Sequence, residues 1–304
     1  MSATIPAIDV LRPFQLEASE IRGRFVRLGQ SVDRVLKAHA YPQPVCRVLG
    51  ELLVLASGLA GGLKFDGKFS LQIRGQGAIR LMVADCTNDG FLRGYASFDA
   101  AGVAALSADE DPVSLLGQGL LALTVDQAAS GGETYQGIVE LEGRSLADSM
   151  LAYFRRSEQV PTGIRMALEQ DTNGAWRGGA IIVQALAVTD PAAKEAQALD
   201  WQEAMVLLGT ATDDEITNPG LPLDTLLFRL FHETGVRVFE PQALAHGCSC
   251  DEERVERVLL SFSAEEVEEM RLPDGSIDVT CQFCNQSYHY EPARLVELFN
   301  TRRH

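Results

Sequence analysis

Positive charge is scarce in this 304-residue chain: 26 Lys and Arg stand against 42 Asp and Glu, a net of −16. Such a balance repels the phosphates of nucleic acid and of an anionic membrane, because binding either needs a basic surface. The shortage is local as well as global. Residues 246–304 hold six Lys/Arg and twelve Asp/Glu, a net of −6, which disfavours a nucleic-acid-reading zinc ribbon. Long apolar runs are also missing. The longest, 52–63, is twelve residues, short of the ~20 that span a bilayer. Residues 1–14 lack the basic segment followed by an apolar one that marks a secretory leader. A cytoplasmic location is expected, with no nucleic-acid or membrane partner, and there thiols are kept reduced.

Catalytic motifs are absent in turn. Gly117-Gln118-Gly119-Leu120-Leu121-Ala122 resembles a dinucleotide fingerprint but precedes a strand instead of opening a helix. Residues 58–64 lack the Gly-Lys-Ser/Thr of a phosphate loop, and His232-Glu233 has no second histidine four residues on. His39 reads as a solvated helix residue, and Cys46 and Cys86 as small buried hydrophobes. No nucleophile, base and orienter can be assembled, so the chain is not expected to be an enzyme.

What the chain does have is four of its six cysteines in two short pairs, Cys248-Ser249-Cys250 and Cys281-Gln282-Phe283-Cys284. A thiolate at each position can close a tetrahedral shell around one Zn²⁺ per chain, a borderline-soft ion that binds sulfur well. Each pair lies on a tight segment and donates two ligands with little chain to order. In a reducing compartment these thiols are metal ligands or redox groups rather than a disulfide framework. His246 and His289 are close in sequence, but four thiolates already fill the shell.

Length gives room for two units, and 46% hydrophobic with 22% charged residues excludes disorder throughout. The first section reads as an α+β core with one large, mostly antiparallel sheet. Residues 21–28 predict a strand, Ser31 then caps a helix, and Pro44 opens a second helix that is apolar nearly all round. Strands follow at 68–74, 78–84, 91–98, 120–126 and 135–141, a helix at 146–156, and strands at 163–169 and 178–184. After Gln184 the pattern turns helical. A helix started by Asp190-Pro191 ends in Trp201, Met205, Leu207 and Leu208, and a second bears Leu226, Leu227, Leu230 and Phe231. Helices this short draw stability from packing, so their apolar faces must rest on a neighbour, either the sheet or the zinc module. The module itself predicts a helix over 251–262, a capping box at Ser263–Glu266, a hairpin through Ile277 and Tyr290, and a last helix from Glu291-Pro292. Its apolar residues are few, so metal binding is expected to supply much of its folding energy. The expected divisions are 1–186 for the core, 187–235 for a metastable helical linker, with an ordinary helical hairpin that finishes the first domain as the equal alternative, and 236–304 for a zinc-binding redox-switch domain.

Leu63-Lys64-Phe65-Asp66-Gly67, Tyr153-Phe154-Arg155-Arg156-Ser157-Glu158-Gln159 with Pro161-Thr162, Gly178-Gly179 with Gln184, Phe228-Arg229-Leu230-Phe231-His232-Glu233 and the two cysteine pairs occur in order. With these, the chain resembles the redox-regulated holdase chaperones of the 33 kDa chaperonin family over almost its whole length. The resemblance implies a form that is inactive when reduced and zinc-bound. It implies oxidation to Cys248–Cys250 and Cys281–Cys284 disulfides, zinc release, unfolding of module and linker, and ATP-independent binding of unfolding clients, as a homodimer when oxidised. Trp201, Met205, Leu208, Leu226, Leu227, Leu230 and Phe231 are then the candidate client-binding residues. A constitutive zinc-stapled interaction module without a redox switch is the alternative, and an enzyme with a site hidden in the sheet domain ranks behind it.

Overall fold

The computed structural model describes residues 8–17, 19–107, 110–127 and 131–301. Residues 1–7, half of the segment in which no leader was read, lie outside them. The chain opens with β1 (Val10–Leu16), β2 (Ile21–Leu28), α1 (Gln30–Lys37) and α2 (Gln43–Ala60). Then come β3 (Lys68–Gly75), β4 (Ile79–Thr87), β5 (Phe91–Phe98), α3 (Ala100–Ala104), β6 (Gly119–Asp126) and β7 (Tyr135–Glu140). Next are α4 (Leu146–Tyr153), β8 (Thr162–Gln170) and β9 (Trp176–Ala185). The segment expected to be a linker holds α5 (Pro191–Thr210), α6 (Asp213–Thr217) and α7 (Leu223–Phe231), followed by β10 (Val236–Val238), β11 (Gln242–Ala243) and β12 (Ala245–His246).

The fold is α+β, and its strands form two six-stranded sheets where one was expected. The first runs β10-β1-β2-β9-β8 with β11 also on β1; the second runs β12-β5-β4-β3-β6-β7. Among the described residues pairing is antiparallel except between β12 and β5. Apolar residues of β2 alternate between two cores: Val26 and Leu28 face one, Ile21 and Phe25 the other. The first core holds α2 and the inner faces of both sheets. α2 is 18 residues, long and apolar enough to cross a membrane by length and composition, but it is buried within this core. Gly58 makes the close packing possible, since a Cβ there would lie 2.7 Å from Ile182 of β9.

Ser31 does not cap α1. Asp9 does so instead, its carboxylate accepting the N–H groups of Gly29, Gln30 and Ser31 at 2.9–3.0 Å, with the Ser31 hydroxyl inside the first turn. The second core settles where the linker rests. Ala204 and Leu208 of α5, Ile216 of α6, and Leu226, Leu227, Leu230 and Phe231 of α7 pack on the outer face of β1, β2, β8 and β9.

The chain divides into compact units Met1–Gly247 and Cys248–His304. The boundary falls later than 236 because β10, β11 and β12 pair with β1 and β5 and fold with the first unit. The second unit contains α8 (Glu252–Leu259), α9 (Ala264–Glu269), β13 (Ile277–Thr280), β14 (Ser287–Tyr290) and α10 (Pro292–Thr301). Its core is seven buried side chains, among them Val255, Leu259, Ile277, Tyr290 and Leu295. The Ser263/Glu266 capping box is formed.

Candidate metal centre

Both cysteine pairs are placed by local backbone chemistry. Cys248-Ser249-Cys250 runs straight into α8, whose N-cap Asp251 accepts the Arg254 N–H at 2.7 Å. Arg254 reaches back and donates to the Ser249 carbonyl at 2.9 Å, fixing the segment from the helix side. The second pair occupies the loop between β13 and β14. Cys281 N–H donates to the Gln286 carbonyl and Asn285 N–H to the Cys281 carbonyl, each at 2.9 Å. Asn285 takes φ 59°, the left-handed conformation that asparagine tolerates.

The four Sγ atoms lie within 4.8 Å of one another, half-buried, and all four cysteines are free thiols. Cys248 and Cys281 approach to 3.7 Å, Cys250 and Cys284 to 3.2 Å. Zn–S bonds of about 2.3 Å in a tetrahedron would set the sulfurs about 3.8 Å apart, so the donor set fits a thiophilic tetrahedral ion. The approaches run across the two segments and select neither pairing within a segment. Burial pushes the Cys248 and Cys284 thiols up. At Cys281 burial also pushes upward, but N–H groups of Cys284 and Phe283 and the neighbouring thiols draw the thiol down to about 7. The Tyr288 hydroxyl hydrogen-bonds Cys250, which with burial raises its pKa.

Neither histidine belongs to the group. His289 is held by Asp278 at 2.7 Å and Glu291 at 3.2 Å, and His246 lies on β12 in the first unit. The seven client-binding candidates are brought together, but under cover. Leu208, Leu226, Leu227, Leu230 and Phe231 are buried, and Trp201 and Met205 are partly buried against the same core.

Sequence reading missed the arginines that fasten this layer. Arg27 of β2 is fully buried and donates to the carbonyls of Glu215 at 3.0 Å, Ile216 at 2.8 Å and Leu221 at 2.6 Å. Arg165 of β8 donates to the Ala211 carbonyl at 3.0 Å, and buried Arg12 of β1 pairs with Asp224 of α7 at 2.9 Å. The available signal was a cation on an apolar strand face: Arg27 shares the side of β2 that carries Ile21 and Phe25.

The family model described as "Hsp33 protein" matches residues 9–291. A 33 kDa chaperonin of Caulobacter vibrioides is 42% identical over 290 residues, covering 93% of this chain and 95% of that one. One of Pseudomonas aeruginosa is 40% identical over 294 residues, covering 96% and 94%. The crystal structure of the 33 kDa chaperonin (heat shock protein 33 homolog) of Thermotoga maritima superposes with a TM-score of 0.82. It shares 23% identity, with 97% of this chain and 99% of that one covered.

Proposed function

Because this chain belongs to the Hsp33 family of chaperones, we propose that it is redox-switched: inactive while reduced and metal-bound, and an ATP-independent holdase once oxidised. Four free thiols gathered within 4.8 Å carry this reading. They follow helices whose apolar faces are kept under cover. Zn²⁺ bound by Cys248, Cys250, Cys281 and Cys284 would hold their sulfurs as thiolates, the form that oxidants attack, and clamp the two segments together. Peroxide takes two electrons from each pair. One S–S bond would form between Cys248 and Cys250 and one between Cys281 and Cys284, and each peroxide leaves as two waters after taking two protons from solvent, since metal-held thiolates carry none. Sulfurs tied in disulfides no longer serve as ligands. The second unit, with its seven-residue core, then lacks the metal energy that sustains a small module.

The chain passes from α7 through three short strands to Cys248, and those strands hold it on β1 and β5, so disorder that spreads back from Cys248 through them frees one end of the linker layer. Release of α5–α7 bares Trp201, Met205, Leu208, Leu226, Leu227, Leu230 and Phe231. A contiguous apolar surface of this kind binds unfolding chains, and pairs two copies, without nucleotide. The working compartment is the cytoplasm, where the reduced state is the default.

The test is light scattering from a thermally unfolding client, with reduced and peroxide-treated protein side by side and metal release followed by a chromogenic chelator. Oxidised protein suppresses the scattering and reduced protein does not, with release of one metal per chain. Metal retained under peroxide would favour a constitutive stapled module, and oxidised protein that ignores the client would overturn the reading.

A further inference from the structure

Three segments that carried the family resemblance have no part in the switch, yet they meet. Leu63, the Tyr153–Glu158 stretch and Gln184 line one cavity of about 120 Å³ in the first unit, walled by strands of both sheets. Arg24 of β2 lines it as well. We propose that this cavity binds a small carboxylate bearing a short apolar tail, with the Arg24 guanidinium as the anion receptor.

Arg24 is 7% exposed. Among the described residues its hydrogen-bond partner is the neutral amide oxygen of Gln184, and no carboxylate pairs with it. Burial pulls its pKa down to about 10, which leaves it charged at neutral pH. A buried cation without a counter-charge is costly, and a ligand carboxylate would remove that cost. Gly62 makes the placement possible: a Cβ there would fall 1.2 Å from Arg24 Nη1.

The acidic side chain on the cavity wall, Glu158, is engaged by two tyrosines of the same wall and not by Arg24. It accepts from the hydroxyls of Tyr135 at 2.7 Å and of Tyr153, and these two oxygens lie 2.9 Å apart. A π-helical turn, Phe154–Glu158, sets this arrangement, ending at Gln159 with φ 55°. Such turns recur at functional sites.

The remaining wall is leucine, valine and phenylalanine, which suits an apolar tail. A planar guanidinium fork matches a carboxylate in two parallel hydrogen bonds. One cation in a small chamber that also carries the Glu158 carboxylate on its wall favours a monoanion over a phosphate dianion. The carboxylate could belong to a free small acid or to the C-terminus of a polypeptide.

The test is calorimetric titration of the reduced full-length protein, which keeps the result independent of the redox switch. The probes are 3-methylbutanoate, its amide, and the tripeptide glycyl-glycyl-leucine with a free or amidated C-terminus. The acid is expected to bind at least tenfold more tightly than the amide, and Arg24→Gln to lose at least tenfold. Leu63→Glu, at a position 45% exposed, places a competing carboxylate at the mouth without touching the core. It should weaken the acid at least tenfold even if Arg24→Gln does not fold. Binding of the free-ended tripeptide assigns the site to chain ends, and binding of the acid alone assigns it to free acids. No acid binding, equal binding of acid and amide, or no effect of Leu63→Glu overturns the proposal.

Discussion

Arg27 ties a strand to three carbonyls of the linker layer, those of Glu215, Ile216 and Leu221. Replacing it with methionine keeps the apolar stem and removes the donors. Each buried acceptor left unpaired costs about 1–3 kcal/mol, so Arg27→Met should lower unfolding stability by about 3 kcal/mol or more, read by urea titration. The same variant should suppress client aggregation while still reduced, because the layer detaches more easily. Glu51 of α2 carries a different signature. Burial, reinforced by Asp111 and opposed by Arg47, pushes its carboxyl up from 4.5 to about 7. The folded state therefore holds this proton more tightly than the unfolded state does. Its contribution is fully present below pH 4.5, falls away as pH rises to about 7, and is flat above. Stability should drop on the order of 2–3 kcal/mol between pH 5 and pH 8 from this group, and Glu51→Gln should abolish that drop in urea midpoints.

At the level of elements, β9 is approached on both faces through two adjacent glycines. A Cβ at Gly178 would meet Val54 of α2 at 2.7 Å, and one at Gly179 would meet Ile216 of α6 at 2.9 Å. Overpacking of this kind costs about 1–3 kcal/mol. Gly179→Ala should spend that cost on the linker contact, so hydrogen exchange of α6 and α7 should accelerate while α2 stays protected. The two cysteine segments differ as well. Cys281-Gln282-Phe283-Cys284 spans a loop that can close a disulfide readily, whereas a ring through Cys248-Ser249-Cys250 is cramped and more easily reduced. The second pair should oxidise first and the first pair later. Alkylation trapping during a peroxide titration checks this order, and early protection of Cys248 and Cys250 alone would contradict it.

At the scale of the whole molecule, two units of unequal self-sufficiency share one chain. The first has two sheets around α2 and a second apolar core beneath the linker. The second has seven buried side chains and four thiols. Metal binding worth about 10–16 kcal/mol exceeds what so small a core supplies. Chelation under reducing conditions, or Cys281→Ser, should therefore abolish metal binding and unfold residues 248–301 while the sheets persist. Amide spectra would show resonances of α8–α10 collapsing toward random-coil positions with those of β2 and β9 unmoved.

The four-cysteine cluster, with sulfurs within 4.8 Å of one another, was legible in the sequence because ligand chemistry belongs to the residue type and its spacing. Two sulfurs on each of two short segments need no distant partner to be recognised. Strand β2 and helix α2 were legible for a similar reason, being periodic or apolar throughout. Strand β1 was not, since Pro13 interrupts it and its pairing with β2 becomes visible only when the two are side by side. The three-residue β10 carries no period at all. The cap of α1 comes from Asp9, outside the local pattern that pointed to Ser31. Tertiary structure alone decided that two sheets form, that α5–α7 lie on the first, and that Arg12, Arg27 and Arg165 fasten them. Burial and long-range hydrogen bonds depend on which surfaces meet, and that information resides in no single segment.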